Sequence, residues 1–160
     1  MILNNKNIAI IKKLKKNNSI VMCHGVFDVL HYGHITHFEE AKKNGDILIV
    51  SITDDKFVNK GPNRPMFDSS IRAKSILALK VADYVIVSKD FDCINTLRQI
   101  KPNFFAKDIE YINKKHSSNK TFEIEKEFLK KINCELIYKL SIKVRSSFDS
   151  DNLINDLRFI

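Results

Sequence analysis

Apolar residues along this chain alternate between two patterns, one at helical spacing and one nearly continuous. Ile8, Ile11 and Leu14, with Ile10 beside them, fall at helical spacing within residues 3–16, and lysines fill the other face. Residues 19–23 are rich in strand formers and end at His24-Gly25. A helix is expected over residues 33–43, stopped by Asn44-Gly45, a favoured helix ending. Residues 46–53 are almost unbroken apolar, the pattern of a strand covered on both faces. A loop containing Gly61, Pro62 and Pro65 follows, then a helix over residues 69–80 and a strand over 83–87. The remainder reads as helix 93–100, short strand 103–106, a polar loop, helix 121–132, strand 135–138 and a last helix near 151–159.

Strands that alternate with helices imply parallel crossovers. The expected architecture is one α/β domain over residues 1–160, a doubly wound parallel sheet of about five strands with helices on both faces. Ligands of such sheets bind at the carboxyl ends of strands, where the winding reverses. The loop over residues 108–120 is the segment expected to move most. Repeats, low-complexity linkers and a second domain are not evident.

Composition changes this picture little. With 160 residues, 44% hydrophobic and 29% charged, the chain can bury a real core. Its apolar runs are too short to cross a bilayer, and residues 1–17 lack a cleavage pattern, so a cytoplasmic protein is expected. Cys23, Cys93 and Cys134 are odd in number and far apart, which reads as reduced thiols. The net charge of +8 sits largely in lysine runs and suits a basic cleft for polyanionic small molecules. No pattern of a known nucleic-acid module accompanies it, so no nucleic-acid partner is expected.

The informative stretch is His24-Gly25-Val26-Phe27-Asp28 leaving the first of these strands and His31-Tyr32-Gly33-His34 opening the next helix. Two histidines three apart face the same way. They stand where backbone N–H groups and the helix dipole favour an anion. Gly25 and Gly33 remove side chains where a phosphate would approach. Imidazoles aimed at a phosphate stabilise charge that builds on it during displacement, and no protein nucleophile is needed. Phe27 reads as a packing residue and Asp28 as an acceptor that fixes the turn. The bland alternatives for the histidines are a coincidental surface pair or a metal site.

The motif resembles GxFDxxHxGH, the signature of the cytidylyltransferase-like nucleotidyltransferases. The resemblance runs from about Ser19 to Asn155 and looks closest to the heptose 1-phosphate adenylyltransferase branch. Later segments that carry it are GDILIVSITDD ending at Asp55, Lys60-Gly61-Pro62-Asn63-Arg64-Pro65, residues 72–87, residues 101–107 and residues 148–155. It implies a Rossmann-like fold and transfer of a nucleotidyl group, adenylyl first and cytidylyl as the near rival, to a sugar or polyol phosphate. Pyrophosphate is released, Mg²⁺ is the cofactor and a homodimer is the expected assembly. Carried over by position, His31, His34 and Lys60 are catalytic. Gly25, Val26, Phe27, Gly33, His34 and Ser150 bind nucleotide, and Asp28, Arg64 and Lys107 bind substrate. Arg72 is open between ion pair and ligand contact.

Two departures stand out. The family's VKGxDY is Ala106-Lys107-Asp108-Ile109-Glu110-Tyr111, which loses the glycine and moves the acid to Glu110. The hydroxyl cluster before the last helix is Phe148-Asp149-Ser150-Asp151-Asn152, with Ser146-Ser147 just upstream. Asp149 and Asp151 either cap that helix or repel a triphosphate unless Mg²⁺ lies between. A degenerate, non-catalytic nucleotide- or partner-binding member is therefore the alternative to an enzyme.

Overall fold

The computed structural model describes residues 1–4, 7–90, 92–109 and 120–139. Ser150, Asp149, Asp151, Glu110 and the expected last helix lie outside the described residues, as does most of the 108–120 loop. The described elements are β1 (Ile2–Leu3), α1 (Ala9–Leu14), β2 (Ile20–Gly25), α2 (Tyr32–Lys42), β3 (Ile47–Thr53), α3 (Ser69–Ala78) and β4 (Tyr84–Ser88). They continue as α4 (Ile94–Ile100), β5 (Phe104–Asp108), α5 (Lys120–Lys131) and β6 (Glu135–Lys139), with one 3-10 turn at Asp55–Phe57.

All strand pairs are parallel, in the order β1-β4-β3-β2-β5-β6. The sheet thus has six strands among the described residues, not about five. The extra one is β1, whose Ile2 and Leu3 pair with Val85 and Ile86. A two-residue edge strand is too short to show a period, so it read as the start of a longer helix.

Alternation along the strands splits the core in two. Ile20 and Met22 of β2 and Ile47 and Ile49 of β3 join Leu97, Ile100 and Leu129 beneath α1, α4 and α5. Val21, Cys23, Leu48 and Val50 face the other way, onto Phe38, Ala41, Ala73 and Ile76 of α2 and α3. Every residue of β3 is buried, as its continuous apolar run requires.

The helix ends have identifiable causes. Asp68 caps α3 by accepting from the Ile71 N–H at 2.9 Å. Helix α4 ends on Lys101 in the left-handed region, φ 47°. Gly45 works differently from a left-handed cap: a Cβ there would lie 3.1 Å from Val21 N and 3.2 Å from Ser19 O. Close approach of the α2–β3 turn to β2 is what requires glycine.

From β2 the chain moves outward to β3 and β4, then returns to place β5 and β6 on the other side of β2. The winding reverses between β2 and β5. Their carboxyl ends are His24-Gly25 and Lys107-Asp108.

Candidate active site

A cleft of about 550 Å³ opens at this reversal. Gly25, Val26 and Phe27 form one wall, Ala106, Lys107 and Asp108 the opposite one, and residues of α2 and α5 line the space between. Arg72 holds the first wall in place. It is fully buried and donates to Phe67 O at 2.9 Å, Val26 O at 2.5 Å and Thr53 O at 2.8 Å, and it pairs with Asp55 at 2.5 Å. Of its two readings, the structural ion pair is the one observed.

The segment between β2 and α2 makes a tight excursion. Phe27 adopts φ 49°, and its ring packs edge-on to Phe38 at 4.9 Å and to His34 at 5.1 Å. A Cβ on Gly25 would lie 2.9 Å from the tip of that ring. Gly25 lines the cleft, but the space left by its missing side chain is filled by Phe27 and not open to a phosphate. Gly33 is buried in the first turn of α2.

His31 occupies the N-cap of α2 in extended conformation, and His34 lies in its first turn. Their rings stack with centroids 3.7 Å apart and planes 23° apart. The pair expected from the spacing is therefore assembled. Burial, then His31, Lys60 and His37, hold the His34 pKa down at about 3. Burial and Lys60 lower that of His31. His24, bonded through Nδ1 to Ser51 Oγ at 3.0 Å, is also held at about 3 by burial and by Lys107. These rings are uncharged donors and acceptors at neutral pH, with Lys60 as the nearby cation on the cleft lining.

Lys107 reaches the cleft from β5, as its position at a strand's carboxyl end predicts. It pairs with Glu125 of α5 at 2.8 Å, both groups being nearly buried. Cys93 Sγ in turn donates to Glu125 Oε1 at 3.2 Å. The thiol is held well above its ordinary pKa by burial and by the Glu125 charge, so it acts as a hydrogen-bond donor and not as a nucleophile.

Asp28 and Arg64, expected to bind substrate, contact each other, Arg64 Nη1 lying 3.0 Å from Asp28 Oδ2. Asp28 also accepts from the backbone N–H groups of Met66 and Phe67 at 2.9 and 3.1 Å. Burial pushes its pKa up, but those N–H groups and the guanidinium outweigh it and hold the carboxyl below its ordinary value. Neither residue lines the cleft. They tie the loop after Lys60 to the turn before α2, the acceptor role that the turn itself suggested for Asp28.

His37, His24 and Glu125 join the site without having been singled out. His37 continues the three-residue spacing of His31 and His34, so the row was visible in the sequence. Glu125 sits in one stripe with Phe122 and Leu129, and a carboxylate on an apolar stripe is the signal of a buried pair. Among the described residues no group of three or more His, Cys, Asp or Glu side chains is placed to hold a metal ion.

The cytidylyltransferase-like family model matches residues 22–155. The chain belongs to that family, which makes it a nucleotidyltransferase. A bifunctional protein HldE of Campylobacter fetus is 36% identical over 103 residues, covering 63% of this chain and 22% of the relative. That of Pseudomonas entomophila is 41% identical over 97 residues, covering 59% and 20%. The matched region thus spans about a fifth of the length of these curated relatives. A lipopolysaccharide core biosynthesis protein from Thermoplasma volcanium superposes with TM-score 0.66 at 30% identity, covering 79% of this chain and all of that one. A pantoate-beta-alanine ligase from Francisella tularensis, TM-score 0.59 at 17% identity, shares the fold; the match covers all of this chain and 78% of that one. No described helix is long and apolar enough to cross a membrane.

Proposed function

We propose that this chain transfers a nucleotidyl group, adenylyl in the first instance, from a nucleoside triphosphate to a sugar phosphate or polyol phosphate. The observation that carries the reading is the stacked His31–His34 pair beside Lys60 at the sheet's reversal point. A phosphate oxygen of the acceptor attacks the α-phosphorus in line. A new P–O bond forms as the bond to the bridging oxygen breaks, and pyrophosphate leaves with the electron pair. His34 and His31 stabilise the charge that builds on the α-phosphate, and Lys60 holds the departing phosphates. Mg²⁺ belongs to this reading as a companion of the triphosphate. The similarity to HldE proteins supports a sugar phosphate as acceptor, and a homodimer is part of the same proposal.

The test is pyrophosphate release from ATP, CTP, GTP and UTP against a panel of sugar and polyol phosphates. Release with ATP and a sugar phosphate is expected. Preference for CTP replaces adenylyl by cytidylyl transfer. Calorimetric binding of a triphosphate without pyrophosphate from any pair identifies a non-catalytic binder.

A further inference from the structure

The loop between β3 and α3 has closed ends and an open tip. Asp55 accepts from the Ser69 N–H at 3.1 Å, which brings the two ends together. Residues 59–63 are all exposed, and nothing lies within 4 Å of where a Cβ on Gly61 would stand. Lys60 sits on this tip and lines the cleft, with neither a hydrogen bond nor an ion pair of its own among the described residues. A lysine on an unsupported tip loses much conformational freedom when an anion fixes it, and that loss subtracts from affinity. A support for the tip therefore bears directly on binding.

The support is Asp28. Its Oδ2 accepts from Arg64 Nη1 at 3.0 Å and from the Met66 N–H at 2.9 Å, and its Oδ1 accepts from the Phe67 N–H at 3.1 Å. The pair is largely buried, with 8% of the Asp28 side chain and 16% of the Arg64 side chain exposed, so solvent screens it far less than a surface pair. Asp28 stands three residues before His31, in the turn that opens α2, and Arg64 four residues after Lys60. One carboxylate thus joins the segment carrying the imidazoles to the segment carrying the cation. Lys60 is close enough to lower the pKa of both His31 and His34. The guanidinium and the carboxylate neutralise each other, and neither lines the cleft, so the pair adds little direct attraction for a phosphate.

On the nucleotidyl-transfer reading, we infer that Asp28 and Arg64 are positioning residues that hold the Lys60 ammonium opposite the stacked His31–His34 pair. Arg64 acts on the triphosphate through Lys60 and makes no contact of its own with it. Because the tip is already held in the free protein, less order has to be gained on binding, and affinity rises without a new contact to the ligand.

Triphosphate affinity of the intact protein is measured by calorimetry with ATP, CTP, GTP and UTP. The tightest of these is carried through Arg64→Met, Arg64→Lys and Asp28→Asn/Arg64→Met, each made both with Lys60 and with Lys60→Met. Binding stoichiometry counts folded molecules, so lost folding is read apart from lost affinity. Arg64→Met weakens binding about three- to tenfold. Arg64→Lys, whose ammonium replaces a single Nη1 contact, recovers most of the loss. The charge-neutral Asp28→Asn/Arg64→Met stays weak, because balanced charge does not rebuild the tie. Beside Lys60→Met, all three change affinity by less than about twofold, since their route to the ligand is gone. If Arg64→Met costs as much beside Lys60→Met as beside Lys60, Arg64 meets the ligand itself and the positioning role is wrong. Recovery in Asp28→Asn/Arg64→Met, which would make the uncovered Asp28 charge the cause, overturns it equally, as does wild-type affinity in Arg64→Met. In these three cases the transfer reading stands. If the wild type binds none of the four triphosphates, the transfer reading falls and the positioning role falls with it.

Discussion

The two ends of the sheet treat polar groups in opposite ways. At the amino end, Asp46 accepts from Ser19 N and Oγ at 2.8 and 2.7 Å, and Asn103 accepts from Ile20 N at 3.0 Å. Asp83 accepts from Leu48 N at 2.7 Å and pairs with Lys42 at 2.6 Å. At the carboxyl end, His34 Nδ1 and His37 Nδ1 are buried without partners, and His24, His31, His34 and His37 all have lowered pKa values. Buried polar groups normally find partners, so two imidazole nitrogens without one mark an end shaped for something else to bind. Register is held below the sheet, and chemistry is held open above it.

The largest expected effect that breaks this contrast is at His34. If the carboxyl end acts on the transition state, His34→Ala lowers turnover by about 10²–10³ and weakens triphosphate binding far less. Steady-state kinetics with calorimetry on one preparation decides it, and a variant that keeps most of its turnover removes His34 from catalysis. Lys60→Met comes next. Loss of one charge-assisted contact costs about 1.5–3 kcal/mol, so triphosphate affinity should fall roughly 10- to 100-fold. Equal affinity by calorimetry would make Lys60 a solvated loop lysine.

Much of this contrast was legible in the residue pattern. The apolar run of β3 gave a strand covered on both faces, and the position of the histidines at a strand-to-helix turn gave the site. What the pattern missed depends on the path of loops. Asp28 and Arg64 are 36 residues apart, and only the folded loop shows that they neutralise each other. Arg72 looked ambiguous because a helix-borne arginine beside apolar positions gives no sign that three backbone carbonyls converge on it. Gly45 read as a favoured helix ending, whereas its need is the nearness of β2. The hydroxyl-cluster question at Asp149 and Asp151 lies outside the described residues.

A substitution at the amino end sharpens the comparison from the other side. Asp83→Ala leaves the Leu48 N–H without its acceptor and Lys42 with the Asp46 carbonyl but no carboxylate. Stability should fall by about 1–3 kcal/mol, read from urea unfolding, while turnover per folded molecule is unchanged. A loss of turnover in the folded fraction would show that the two ends are coupled.

The smallest effect comes from pH, and stability and triphosphate binding respond to it with opposite signs. In the folded protein His24 titrates at about 3, against 6.5 for an ordinary histidine, so it stays neutral when its unfolded counterpart gains a proton. The unfolded state then binds more protons below pH 6.5, and stability falls as pH falls through that value. At pH 6.5 the loss is at most about 0.4 kcal/mol for this residue, growing toward pH 4. Triphosphate binding runs the other way. An anion over His31 and His34 raises their lowered pKa values, so the complex takes up protons and affinity increases as pH drops from 8 to 6. The gain is bounded by about one decade per pH unit per imidazole. Calorimetry in buffers of different ionisation enthalpy counts the protons, and thermal unfolding without ligand reads the stability. Proton release on binding, or stability that rises on acidification from pH 7 to 5, would mean that the imidazoles are not the neutral, ligand-facing groups that set the upper end of the sheet apart from the lower.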